Sequence, residues 1–190
     1  MKRSSKTLLR IAILAAIVIA VIAFSKPLMA RRSVEKTFTA LKKQDFEALA
    51  KYSDMDDLSS LYSEYFKDED NNEYMAAILD KLDYKIIDTK EINDNTVQVK
   101  TEITTVNLKP LMNAYLEETA EYAKDLFSSK STSPEKAYKK LRQKLIDTIS
   151  DPDAEKETYE VDIEVKKIDK KWVVQSSIEL INALYGGIFN

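Results

Sequence analysis

The side chains that most often carry chemistry are missing from this sequence. Its 190 residues include no histidine and no cysteine, which removes imidazole and thiolate zinc sites, thiol nucleophiles and the histidine general base. Carboxylates remain. Asp54-x-Asp56-Asp57 and the run Asp68-Glu69-Asp70-Asn71-Asn72-Glu73 offer the hard oxygen ligands that Ca²⁺ takes. The second run fails as an EF-hand loop, because it lacks the turn glycine after Asp68, Asp70 and Asn72, and Leu79 stands where a bidentate Glu is needed. A solvated acidic loop accounts for it. Paired carboxylates can act as acid and base, but among 32 Asp+Glu chance pairs are expected. No catalytic residue, metal or cofactor is therefore assigned, and a non-enzymatic role is expected.

Aromatic residues form the other candidate constellations. Tyr62, Tyr65, Phe66 and Tyr84, with Trp172, would line the open end of a cavity for an apolar or planar ligand, or else fill a core between helices and sheet. Tyr115, Tyr122, Phe127 and Tyr138 fall in a second group, on helical segments. They are of the type that anchors protein interfaces.

The stretch Leu8–Phe24, LLRIAILAAIVIAVIAF, fixes where these residues work. A helix of roughly 17 residues rises about 25 Å, a little short of a hydrocarbon core of about 30 Å, so Arg10 and Lys26 would snorkel to opposite interfaces. A basic leader before an apolar run is also the layout of a signal peptide, with small residues at Ala23-Phe24-Ser25. The chain is thus read as membrane-anchored through residues 8–24, or secreted if that segment is cleaved. Lys2, Arg3, Lys6 and Arg10 precede the run, which puts the amino terminus inside and the carboxyl-terminal domain outside the cytoplasm. The absence of cysteine leaves no lipid-attachment site and no disulfides.

Charge divides at the same place. Residues 1–32 hold seven basic and no acidic groups, leaving 22 basic against 32 acidic beyond, a net −10. That argues against nucleic acid as a partner, since such affinity comes from neutralising phosphates. Residues 1–32 are expected to form a basic tail and anchor, and residues 33–190 one extracytoplasmic domain.

Within that domain helical spacing comes first. Ser33 is available to cap a helix through Lys43 carrying Val34, Phe38 and Leu41, and Asp45 caps a short one carrying Phe46, Leu49 and Tyr52. Leu58, Leu61, Tyr62, Tyr65 and Phe66 make another stripe, Lys67–Glu73 reads as a loop, and Tyr74–Leu82 as a helix. From Asp83 the period becomes two. Tyr84 and Ile86 lead to the turn Asn93-Asp94-Asn95, and Val97, Val99, Thr101 and Ile103 share a face. Val106 and Leu108 change parity, which predicts a bulge near Thr104-Thr105. Residues 109–150 form a helical hairpin broken at 128–133, with Ser133 as cap, Pro134 as first residue and a stripe at Tyr138, Leu141, Leu145, Ile146 and Ile149. Tyr159, Val161, Ile163 and Val165 begin a second strand pair closed through Asp169-Lys170 by Trp172 and Val174. Ser176 and Glu179 predict a capping box for a helix apolar at Ile178, Ile181, Leu184 and Tyr185, stopped by Gly186-Gly187.

This order resembles the NTF2-like (cystatin-like) domains of uncharacterised, membrane-anchored envelope proteins of Gram-positive bacteria. The residues that carry the likeness are Val34-x3-Phe38-x2-Leu41-x3-Asp45-Phe46-x2-Leu49-x2-Tyr52, Tyr84-x-Ile86, Asp169-x2-Trp172-x-Val174 and Leu184-Tyr185-Gly186-Gly187. The resemblance implies an α+β cone of helices on a curved antiparallel sheet, here with the inserted hairpin 109–150. It implies no catalytic residues. Two roles stay open, an interaction module for an envelope protein and a binding cup for a small or peptide-like envelope molecule.

Overall fold

A computed structural model of the chain describes residue 10 and residues 25–54, 69–127 and 133–189. Within these residues it is a mixed α+β structure, with six helices and one four-stranded antiparallel sheet. The elements are α1 (residues 25–43), α2 (Phe46–Tyr52), α3 (Glu69–Asp80), β1 (Asp83–Asn93), β2 (Thr96–Val106), α4 (Leu108–Phe127), α5 (Pro134–Ser150), β3 (Lys156–Ile168), β4 (Lys171–Val174) and α6 (Ile178–Leu184). No helix among the described residues is long and apolar enough to cross a membrane. The predicted span Leu8–Phe24 lies outside them apart from Arg10, so the structure lends it no support.

The sheet is a meander in the order β1-β2-β3-β4. Its alternation puts Tyr84 opposite Ile103, Ile103 opposite Tyr159, Val99 opposite Ile163 and Val165 opposite Val174, all on one face. The helices cover that face, where Val97, Val99, Ile103, Val161, Ile163 and Val165 meet Val34, Phe38, Leu41, Ile78 and Leu180 in one core. The opposite face carries the cross-strand ion pairs Lys85–Glu102 (3.6 Å) and Lys100–Glu160 (2.5 Å). Such exposed pairs contribute little to stability, and their use here is to keep one face of the sheet in water.

Helix α1 gives the fold a direction. Near the first of its described residues Lys26 Nζ donates to Glu91 Oε1 (2.7 Å) and Asp94 Oδ1 (2.8 Å), beside the β1–β2 turn. One helical stretch further on, Ser33 Oγ donates to the Trp172 carbonyl (2.8 Å), and beyond it the Phe38 ring stacks on Tyr84, 4.4 Å away at the other end of β1. The β3–β4 turn lies at the same end as Asp94, since Thr96 pairs with Lys166 and Lys167 N–H donates to the Asn95 carbonyl (2.8 Å). α1 therefore rises from the end with both strand turns to the end where β2 leads into α4 and α5 leads into β3.

Several local expectations are corrected. Ser33 is not a helix cap: α1 runs through it, and its buried hydroxyl serves a long-range carbonyl instead. The run predicted as a loop over residues 67–73 is helical from Glu69 on. β2 pairs with β3 without interruption from Thr96 to Val106, while the register shifts fall in the edge strand β1, at Ile86/Asp88 and Glu91/Asn93. A bulge in β2 would disturb two ladders, whereas one in β1 disturbs a single ladder. The cap of α6 is Ser177, whose hydroxyl accepts from Leu180 N–H (3.1 Å), not Ser176. Leu180, Asn182, Ala183 and Leu184 are buried, while Ile178, expected to face inward, is 76% exposed. Asp45 caps α2 as expected, accepting from Ala48 N–H (2.9 Å).

Candidate interaction site

The helical hairpin α4–α5 is rooted at the sheet end opposite Lys26. Asn107 N–H donates to the Glu155 carbonyl (2.8 Å) and its side-chain amide to Glu155 Oε1 (3.1 Å), so the two strands of the hairpin's base are joined. Leu108 N–H donates to the Gly186 carbonyl (3.1 Å). Gly186 has φ +59° and sits so close that a Cβ there would lie 2.1 Å from the Val106 carbonyl oxygen. Only glycine meets both conditions. The end of α6 thereby clamps the start of α4.

Leu108 and Ile149 are fully buried in the core, and Leu111 and Leu145 are packed against it. Farther along, α4 and α5 lean on one another and α5 leans on α3. Ala137, Leu141 and Ile146 are buried on α5. Tyr74 of α3 donates its hydroxyl to Met112 Sδ (3.8 Å), and burial pushes its phenol up to about 12. Lys144 pairs with Glu118 across the two helices.

Between the helices lies a cleft of about 230 Å³ with Leu111, Ala114, Tyr115, Leu141 and Leu145 among its lining residues. Drug-sized ligands occupy pockets of about 300–1,000 Å³. The cleft can take an inserted side chain, and the recess that adjoins it adds about 340 Å³. Tyr115 is half-buried there, its phenol raised by that burial and by the neighbouring Tyr138. Tyr122 lines an adjoining, more polar recess with Glu121 and Lys140, and Tyr138 and Leu116 stand 51% and 59% exposed. Phe127 is the last residue of α4. Leu116, four positions after Met112, belongs to the apolar repeat legible along α4 but is not one of the aromatic candidates.

The cavity candidates are placed differently. Trp172 is buried on the core face of β4, and Tyr84 is stacked against Phe38, both within or against the core cluster. Tyr62, Tyr65 and Phe66 lie outside the described residues. Among the described residues no group of three or more acidic side chains is arranged to hold a metal ion. Asp54, from the first acidic run, accepts from Ser176 N–H (2.6 Å) and ties the end of α2 to the chain beyond β4.

No protein-family model matches this chain, and no curated protein matches it. Among solved structures it is similar to a protein of Bacillus subtilis described as a "putative lipoprotein" (YcdA), at 14% identity and a TM-score of 0.47. The match covers 74% of this chain and 46% of the other, so the chain spans less than half the length of that neighbour. Nothing about this chain's role follows from so distant a likeness.

Proposed function

We propose that this protein is a membrane-anchored, extracytoplasmic, non-enzymatic interaction module of a bacterial envelope, built on an NTF2-like scaffold and offering the α4–α5 hairpin to a protein partner. One observation carries the reading. The hairpin stands at the end of the sheet away from Lys26, where α1 takes over from the apolar stretch 8–24. A chain anchored there would hold Tyr122, Tyr138 and Leu116 away from its own membrane. The cleft suits the side chain of a partner, and the tyrosines combine large contact area with few rotamers. The packing of Trp172 and Tyr84 into the core gives no support to the alternative of a ligand cup.

The test is partner capture by chemical crosslinking in living cells. Interface anchors of this kind cost about 2 kcal/mol or more when truncated, roughly a thirtyfold loss of affinity. Tyr138→Ala, at an exposed position, and Tyr122→Ala, at a half-buried one outside the core cluster, should fold and lose the crosslinked partner. Capture unchanged in the double variant would refute the proposal.

A further inference from the structure

The net charge of −10 beyond residue 32 conceals an uneven distribution. The β3–β4 turn reads Lys166-Lys167-Ile168-Asp169-Lys170-Lys171; Lys166 is paired with Glu164 (2.7 Å), which leaves three further lysines to one acid. It lies beside the β1–β2 turn, where Glu91 and Asp94 are both taken by Lys26. Arg32 is exposed on α1. The same end carries exposed apolar side chains, Ile168 and Ile92 on the strand turns and Leu28 and Met29 on α1, each 44–49% in contact with solvent.

From this juxtaposition we infer that the turn end of the sheet is a second membrane contact, in which the lysines of the β3–β4 turn bind anionic lipid headgroups while Ile92 and Ile168 enter the headgroup layer. The inference rests on the proposed anchor for its geometry. Lys26 touches Asp94 directly and Lys167 N–H donates to the Asn95 carbonyl, so both turns lie at the end of the sheet where Lys26 of α1 is held. A surface that is basic and apolar at once matches a negatively charged bilayer in both respects. The acidic remainder of the domain is repelled by the same bilayer. The two effects together would hold the sheet upright, with the hairpin end outward.

The test uses the full chain reconstituted into vesicles of phosphatidylcholine, with or without phosphatidylglycerol. The sequence has no native cysteine, so a fluorophore can be placed on Asn95→Cys or, as a distal control, on Lys139→Cys. Headgroup-borne nitroxide should quench the label at 95 strongly in anionic vesicles, weakly in neutral ones, and the label at 139 in neither. Each lysine near such a surface is worth about a fivefold change in affinity, so Lys167→Gln, Lys170→Gln and Lys171→Gln together should reduce the contact by about 100-fold. Raising the salt to 1 M, where the Debye length is about 3 Å, should weaken it without any substitution. Equal quenching at 95 and 139 in anionic vesicles, or quenching at 95 that ignores both the triple change and salt, would overturn the inference. So would binding of soluble polyphosphate by a chain whose label at 95 stays unquenched. Failure to float with neutral vesicles would refute the anchor alone, since quenching at 95 on anionic vesicles reports the basic end separately.

Discussion

Replacing Trp172 by alanine removes the largest side chain of β4 from the core face of the sheet, where only 7% of it meets solvent. An aromatic of this size buries about 150–250 Å², which at about 25 cal/mol per Å² is roughly 4–6 kcal/mol. Measured Trp→Ala truncations in cores cost about 3–5 kcal/mol. A domain of this length loses about 2–4 °C of melting temperature per kcal/mol, so the variant should melt roughly 6–20 °C lower. Because the backbone carbonyl of residue 172 still accepts from Ser33, the loss comes from packing and not from the α1–β4 hydrogen bond. The assay is thermal unfolding of the full chain in detergent, followed by far-ultraviolet circular dichroism. A shift below about 2 °C would refute the burial argument and return Trp172 to the candidates for ligand contact.

Other positions give sharper local tests. Gly186→Ala should cost at least about 1–2 kcal/mol for the left-handed backbone alone, and more because its Cβ would meet the Val106 carbonyl; an unaltered melting temperature would contradict the clamp between α6 and α4. The hydrogen bonds between Lys26 and Asp94 raise the lysine above its ordinary 10.5 and lower the aspartate below its ordinary 3.8. The tie should accordingly hold throughout the range between those two values, failing only as pH falls through the depressed Asp94 pKa or rises through the elevated Lys26 pKa. Crosslinking of cysteines placed at 26 and 94 would be the wrong readout, since it removes the pair; amide exchange at Asn95 and Thr96 reports it, and a change in protection between pH 5 and 9 would count against the assignment. For orientation, Ser4→Cys should resist and Lys139→Cys accept a membrane-impermeant thiol reagent in intact cells, and the reverse pattern would overturn an external domain.

Local signals predicted those elements that local physics decides. The period-two runs gave the strands, Asp45 gave the cap of α2, and Gly186-Gly187 gave a positive φ at both glycines. Ser33 misled because a cap signal is indifferent to what lies across the fold: the helix continues when the serine hydroxyl finds the Trp172 carbonyl instead of its own first turn. Glu179 favoured Ser176 as a local cap, yet the helix that buries Leu180, Asn182 and Ala183 begins after Ser177. No parity change occurs at Val106: the inward positions continue to Thr105, Val106 is buried on the other parity, and Leu108 is already the first residue of α4. The hairpin tyrosines were legible as a group, yet their exposure was not, because Tyr138 shares its helical stripe with buried Leu141 and Ile149. The basic turn end was readable as Lys166–Lys171 but carried no meaning until strand register brought it beside Lys26.

The most direct measurement of the central claim is site-specific photocrosslinking in living cells, with a photoreactive phenylalanine analogue at Tyr138 in one strain and at Asn95 in another. The account predicts discrete protein adducts from position 138 that vanish on Tyr122→Ala, and no protein adduct from position 95, which lies at the turn end. Protein adducts from 95 with none from 138 would contradict it, by placing the partner at the end assigned to the membrane.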